Sequence, residues 1–132
     1  MPSGSILVVD DEGRQREVYR DILQDEGYDT ETAPSGESAL KLHGQKRFDL
    51  VITDLNLTGM TGVQLLTEIV QADPWVAVIL ITGYPDEGIS ARAAAAGLKD
   101  VMRKPLLDDN LLKRIRSAIA ESQAGAGVPP VR

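Results

Sequence analysis

Three short runs of the chain are continuously apolar: Ile6-Leu7-Val8-Val9, Leu50-Val51-Ile52-Thr53 and Val76-Ala77-Val78-Ile79-Leu80-Ile81. A run with no alternating polar positions describes a strand covered on both faces, so these predict central strands of a parallel sheet. Val101-Met102 predicts a weaker strand, and the polar stretch Tyr28-Asp29-Thr30-Glu31-Thr32-Ala33 suits an edge strand with a solvated face. Between the runs the period becomes helical. Val18, Tyr19, Ile22 and Leu23 form a stripe that stops before Gly27, a residue suited to a helix C-terminus. Ser35 is placed to cap a short helix carrying Ala39 and Leu40. Val63, Leu66, Ile69 and Val70 form a further stripe, halted at Asp73-Pro74 because the residue before proline avoids the α region. The run Ala93 to Ala96 favours a fourth helix ending at Gly97, and Leu111, Leu112, Ile115, Ala118 and Ile119 mark a fifth after a cap at Asp108. Strand and helix thus alternate through the chain, which implies a single α/β domain with a parallel sheet, helices on both faces and right-handed crossovers. No sequence repeat underlies the alternation, which excludes a solenoid.

Composition narrows the chemistry. The 132 residues suffice for one ordinary domain, and a hydrophobic fraction of 42% is enough to bury a core. The absence of cysteine excludes disulfides, zinc thiolates and a thiol nucleophile, and the lone His43 builds no histidine-rich metal site. Any metal must be hard and oxygen-ligated. A formal charge of −6 argues against direct nucleic-acid binding, which needs clustered Lys and Arg. No apolar run approaches the roughly 20 residues of a membrane span, and Met1-Pro2-Ser3-Gly4-Ser5 is no signal peptide, so a cytoplasmic location is expected. Beyond Glu121 the composition turns to Ala, Gly and Pro; residues 1–122 are expected to form the domain and 123–132 a flexible tail or truncated linker.

In a doubly wound sheet the site lies beyond the carboxyl ends of the strands. Asp10-Asp11 follow the first strand, Asp54 the third, Thr82 the fourth and Lys104 the fifth. Three carboxylates brought together repel, and a proton or a cation must compensate. Mg2+ suits the need, because it binds through one or two carboxylates and keeps waters or a phosphate oxygen as its other ligands. An ammonium and a hydroxyl nearby supply the charge and hydrogen bond that a phosphoryl group requires. Alone, Asp10-Asp11 would read as a helix cap pair and Asp54 as a turn residue; their coincidence with Thr82 and Lys104 favours a site.

The set Leu7-Val8-Val9-Asp10-Asp11-Glu12, Thr53-Asp54-Leu55-Asn56-Leu57 with Gly59, Met60 and Gly62, Ile81-Thr82-Gly83 and Lys104-Pro105 resembles the receiver domain of bacterial two-component response regulators, from about Ile6 to Ile119. The resemblance implies a five-stranded sheet of flavodoxin-like order 2-1-3-4-5. It also implies that Asp54 takes a phosphoryl group from a histidine kinase, a phosphotransfer protein or a small phosphodonor. Asp11, Asp54 and the backbone carbonyl of Asn56 would ligate Mg2+, with Asp10 acting mainly through a metal-bound water. Lys104 would pair with the phosphoryl oxygens, Thr82 would move to hydrogen-bond them, and Lys104-Pro105 would be a cis peptide. Such a chain is not an enzyme on a separate substrate; it phosphorylates and dephosphorylates itself with Mg2+. Its partners would be a kinase, an output domain or effector, and a homodimer mate through the fourth helix, fifth strand and fifth helix.

The pattern also departs from the family. The position three before the lysine, usually Tyr or Phe, is Val101, whose β-branched side chain is stiff about its first torsion. Tyr84 offers a substitute mobile aromatic, although an exposed tyrosine in a loop is the plainer expectation. Thr58 stands where proline is usual, Thr61 where an acid is usual, and Leu106 where phenylalanine is common. The Val101 departure keeps open a phosphorylation-independent binding module of the same fold. A phosphatase of the haloacid-dehalogenase type is disfavoured, because Asp10-Asp11-Glu12-Gly13 lacks the second aspartate at Asp-x-Asp spacing, and no glycine-rich turn supports a dinucleotide site. His43 is expected on the surface or a helix flank, and Trp75 at a strand entrance. With Asp10, Asp11, Asp54 and Lys104 set aside, 17 acids face 13 bases, so most of the acidity is ordinary surface charge.

Overall fold

The computed structural model describes residues 4–55, 57, 59–74, 76–82, 88, 91–92, 101–103 and 109–126, of which 82, 101–103, 109–111 and 124–126 are described by their backbone. In chain order the elements are β1 (Ser5–Val9), α1 (Gly13–Asp25), β2 (Asp29–Ala33), α2 (Gly36–Gln45), β3 (Leu50–Asp54), α3 (Gly62–Ala72), β4 (Ala77–Thr82), β5 (Val101–Arg103) and α4 (Asp109–Ala126). Gly88, Ala91 and Arg92 are also helical, whereas the alanine run and Trp75 lie outside the described residues.

The sheet runs β2-β1-β3-β4-β5 with every pair parallel. Strands of five or six residues carry the β2-β1-β3-β4 part, and β5 adds a three-residue edge. Alternate residues of one strand face opposite layers. Ile6, Val8, Leu50, Ile52, Ile79 and Ile81 meet Tyr19 and Leu23 of α1 and Ile115, Ala118 and Ile119 of α4. Leu7, Val9, Val51 and Leu80 meet Ala39 of α2 and Leu65, Leu66 and Ile69 of α3. Each fully buried aliphatic side chain contributes about 1.5–3 kcal/mol, so two helical layers clamp the central strands from both sides. Polar β2 takes the edge, where its Asp29 stays exposed to solvent.

Local signals set the helix ends. Gly27 adopts φ of 95°, a left-handed conformation open to glycine without strain, and turns the chain from α1 into β2. The Ser35 side chain accepts from the Ser38 N–H at 3.1 Å and caps α2. Thr61 forms a reciprocal capping box with Gln64 at the start of α3. One feature differs from the sequence expectations. The last helix continues through Ala126 rather than ending where its apolar stripe does, because a helix already nucleated and packed upstream propagates at little cost, even across Gly125. His43 takes the helix-flank place of its two expected ones: its side chain is only 10% exposed, with Nε2 3.8 Å from Asp73 Oδ2 where α2 and α3 converge.

Candidate functional site

Because all strands run parallel, their carboxyl ends share one edge. The register pairs Val9 of β1 with Thr53 of β3, so the next residue of each, Asp10 and Asp54, emerge side by side. Asp11 follows in the β1–α1 turn. One carboxylate oxygen from each of the three acids lies within 4.8 Å of the other two. Asp10 is 2% exposed and Asp54 9% exposed, while Asp11 faces solvent. The site is thus rooted in the sheet and open on one side.

Backbone contacts hold these acids in place. The Asp10 N–H donates to the Ala33 carbonyl at 3.1 Å, extending the β1–β2 ladder one residue past β1. Asp10 Oδ1 accepts the Glu12 N–H at 2.9 Å, a tight turn into α1. Arg16 Nη1 donates to the Asp10 carbonyl at 2.6 Å. Beside Asp54, the Leu55 N–H donates to the Ile81 carbonyl at 2.8 Å, and the Thr53 hydroxyl donates to the Asp54 carbonyl at 3.0 Å. The Gly62 N–H donates to the Leu55 carbonyl at 2.9 Å, drawing the start of α3 onto the chain leaving Asp54.

Two full negative charges about 4 Å apart repel by about 4 kcal/mol at an effective dielectric of about 20. Three carboxylates converging on one point therefore favour a cation between them. The donors are all hard oxygens, and the exposure of Asp11 leaves room for water, which is how Mg2+ is usually held. The donor set fits that ion.

The other expected site residues are placed unevenly. Thr82 is the last residue of β4, at the same sheet edge as Asp54, which pairs with Ile81. Val101 opens β5 opposite Leu80, and Thr82 pairs with Arg103, the residue before Lys104. Asn56, Tyr84, Lys104 and Pro105 lie outside the described residues. Sequence reasoning missed Arg16 and the roles of Gly62 and Thr61. Thr61-x-x-Gln64 carried a legible capping signal, and Arg16, early in a helix whose side chains lean toward its N-terminus, was within reach of the acidic turn.

Residues 6–116 match the family model for the response regulator receiver domain. The chain belongs to that family. A curated relative of this receiver is the transcriptional regulatory protein ZraR of Salmonella typhimurium, 33% identical over 125 residues, or 94% of this chain. That stretch is 28% of ZraR, so the receiver spans about a quarter of its relative's length. Among solved structures, a CheY-like response regulator receiver domain protein from Methanospirillum hungatei is 29% identical with a TM-score of 0.87, covering 92% of this chain and 97% of that one. The response regulator TrrA of Thermotoga maritima, solved in complex with Mg2+ and BeF, is 33% identical with a TM-score of 0.79, covering 89% of this receiver and 99% of TrrA.

Proposed function

We propose that this receiver accepts a phosphoryl group on Asp54 from the phosphohistidine of a sensor kinase or phosphotransfer protein, or from a small phosphodonor, as one step of two-component signalling. The observation that carries this reading is the convergence of the Asp10, Asp11 and Asp54 carboxylates within 4.8 Å at the carboxyl edge of the sheet. A carboxylate oxygen of Asp54 attacks phosphorus, an O–P bond forms and the bond from phosphorus to the donor breaks; a histidine leaving group takes a proton from solvent, and an acyl phosphate releases its carboxylate as the anion. Attack by water on the resulting acyl phosphate later releases inorganic phosphate and restores the carboxylate. The chain is then substrate and catalyst at once rather than an enzyme acting on others.

Asp10, Asp11, Asp54 and the Asn56 carbonyl would hold Mg2+, which when bound supplies charge compensation for the phosphoryl oxygens. The burial of Asp10 and Asp54 limits water around the acceptor, and the turn bonds on Asp10 hold the acids in place before any donor arrives. Lys104 would pair with the phosphoryl oxygens and Thr82 would donate a hydrogen bond to them. Added charge at Asp54 would then bias a surface that an output domain or effector reads. The match to a transcriptional regulatory protein supports such an output beyond this domain.

Incubation with a small acyl phosphate and Mg2+ should add one phosphoryl group, detected by intact mass, and Asp54→Asn should abolish it. Label retained in Asp54→Asn would sink the assignment of the acceptor. Val101 at the start of β5 supports one other reading, a module of the same fold that works through partners without phosphorylation. Failure of the unsubstituted chain to take up either Mg2+ or the phosphoryl group would promote it.

A further inference from the structure

Arg16 has no part in the chemistry assigned so far, yet it reaches the backbone of the site. It lies one turn into α1, and its guanidinium folds back over the start of the helix. A Cβ on Gly13 would come within 3.5 Å of Arg16 Nη2, while Nη1 donates to the Asp10 carbonyl at 2.6 Å. The turn it grips is also tied to β2, where the Asp10 N–H donates to the Ala33 carbonyl at 3.1 Å. Glu12, the N-cap residue of α1, makes no side-chain capping bond, and within the turn the Glu12 N–H donates to Asp10 Oδ1 at 2.9 Å. That bond uses a lone pair of a carboxylate needed at the site, whereas the Arg16 bond grips the same residue through its carbonyl and leaves the carboxylate to its task.

We propose that Arg16 is a positioning residue for the acid pair, fixing the direction in which Asp10 and Asp11 present their carboxylates; this rests on reading those acids as Mg2+ ligands. The sign of its effect separates it from a simple charge effect. As a cation beside three acids, Arg16 by charge alone would compete with a metal ion, and its removal would tighten Mg2+ binding. As an anchor it favours binding, and its removal weakens it.

The test uses Arg16→Met and Arg16→Lys in the full chain, titrated calorimetrically with Mg2+ alone, with amide hydrogen exchange followed in metal-free protein. The Mg2+ dissociation constant should rise on the order of tenfold in Arg16→Met, the scale seen when a group that orients a metal ligand is lost. Arg16→Lys should recover little of this, since its shorter stem and strongly hydrated ammonium reach the Asp10 carbonyl less well. Without metal, the Glu12 amide should exchange faster in both variants while their thermal midpoints stay near that of the parent chain. Equal or tighter Mg2+ binding by Arg16→Met, or unchanged exchange at Glu12, would overturn the role. A parent chain that binds no Mg2+ would instead remove the metal reading, and the proposal with it.

Discussion

Gly62 opens α3 against the backbone that leaves Asp54, and there is no room for a larger residue. A Cβ at this position would collide with the Asp54 carbonyl oxygen, approach Leu55 Cα to 3.0 Å and meet Leu80 Cδ1 at 2.8 Å. Two of these three neighbours are backbone, which cannot rotate aside. Gly62→Ala should therefore cost about 1–3 kcal/mol, as overpacking of a filled site does, and should slow phosphoryl uptake because the displaced carbonyl belongs to the acceptor itself. Denaturant midpoints and labelling rates check the two effects, and a variant matching the parent in both would show that the loop yields freely. The same residue explains which part of the site was legible in the sequence. Asp10, Asp11 and Asp54 were visible because each is an acid where an apolar run ends, a position that topology sends to one edge. Gly62 stood in the recognised motif without its reason, and Arg16 went unnoticed. Both act on backbone atoms, and a carbonyl has no letter of its own in a sequence.

At the level of elements, the apolar runs were readable because a strand covered on both faces has no polar alternative, and β2 was readable as an edge because it lacks such a run. What ties β2 to its neighbours was not, since the partners are far apart in the chain. Asp29 and Glu31 share one side of the strand, and Lys46, the C-cap residue of α2, places Nζ 2.8 Å from a carboxylate oxygen of each. Its ammonium also lies 5.6 Å from the Phe48 ring centroid. The hydrogen bond from Lys46 holds the Asp29 carboxyl below the ordinary carboxylate range, and the bonds to Asp29 and then Glu31 hold the Lys46 ammonium above its own. These groups are substantially exposed, so the ion pairing is worth at most about 1 kcal/mol. A depressed acid contributes stability above its unfolded pKa, about 3.9, and loses it as pH falls through the lower folded value. A raised base contributes below about 10.4 and loses it at higher pH. Lys46→Met should thus cost about 0.5–1 kcal/mol at pH 7, with the deficit shrinking below pH about 4 and in high salt. Urea titrations at pH 7 and pH 3 measure it; a deficit unchanged between them would assign the loss to the Phe48 contact instead.

Across the whole molecule, a net charge of −6 raises the question of whether a divalent cation would act on the overall field or at one place. A diffuse effect follows ionic strength and is largely indifferent to which cation supplies it. A site effect follows mass action. A ligand that binds only the folded state adds about 1.4 kcal/mol when free ligand is about ten times its dissociation constant, enough to raise the thermal midpoint of a domain this size by a few degrees. The convergence of Asp10, Asp11 and Asp54 at one sheet edge predicts the second behaviour. Millimolar Mg2+ should raise the midpoint, a chelator should reverse the rise, and sodium chloride at matched ionic strength should reproduce little of it. Asp10→Asn and Asp54→Asn should each lose most of the Mg2+ effect, because each removes a buried carboxylate from the cluster while changing the total charge by a single unit. Differential scanning calorimetry across these conditions decides the matter. An equal rise with sodium, or a rise that survives Asp54→Asn, would mean that magnesium screens the surface rather than occupying the site.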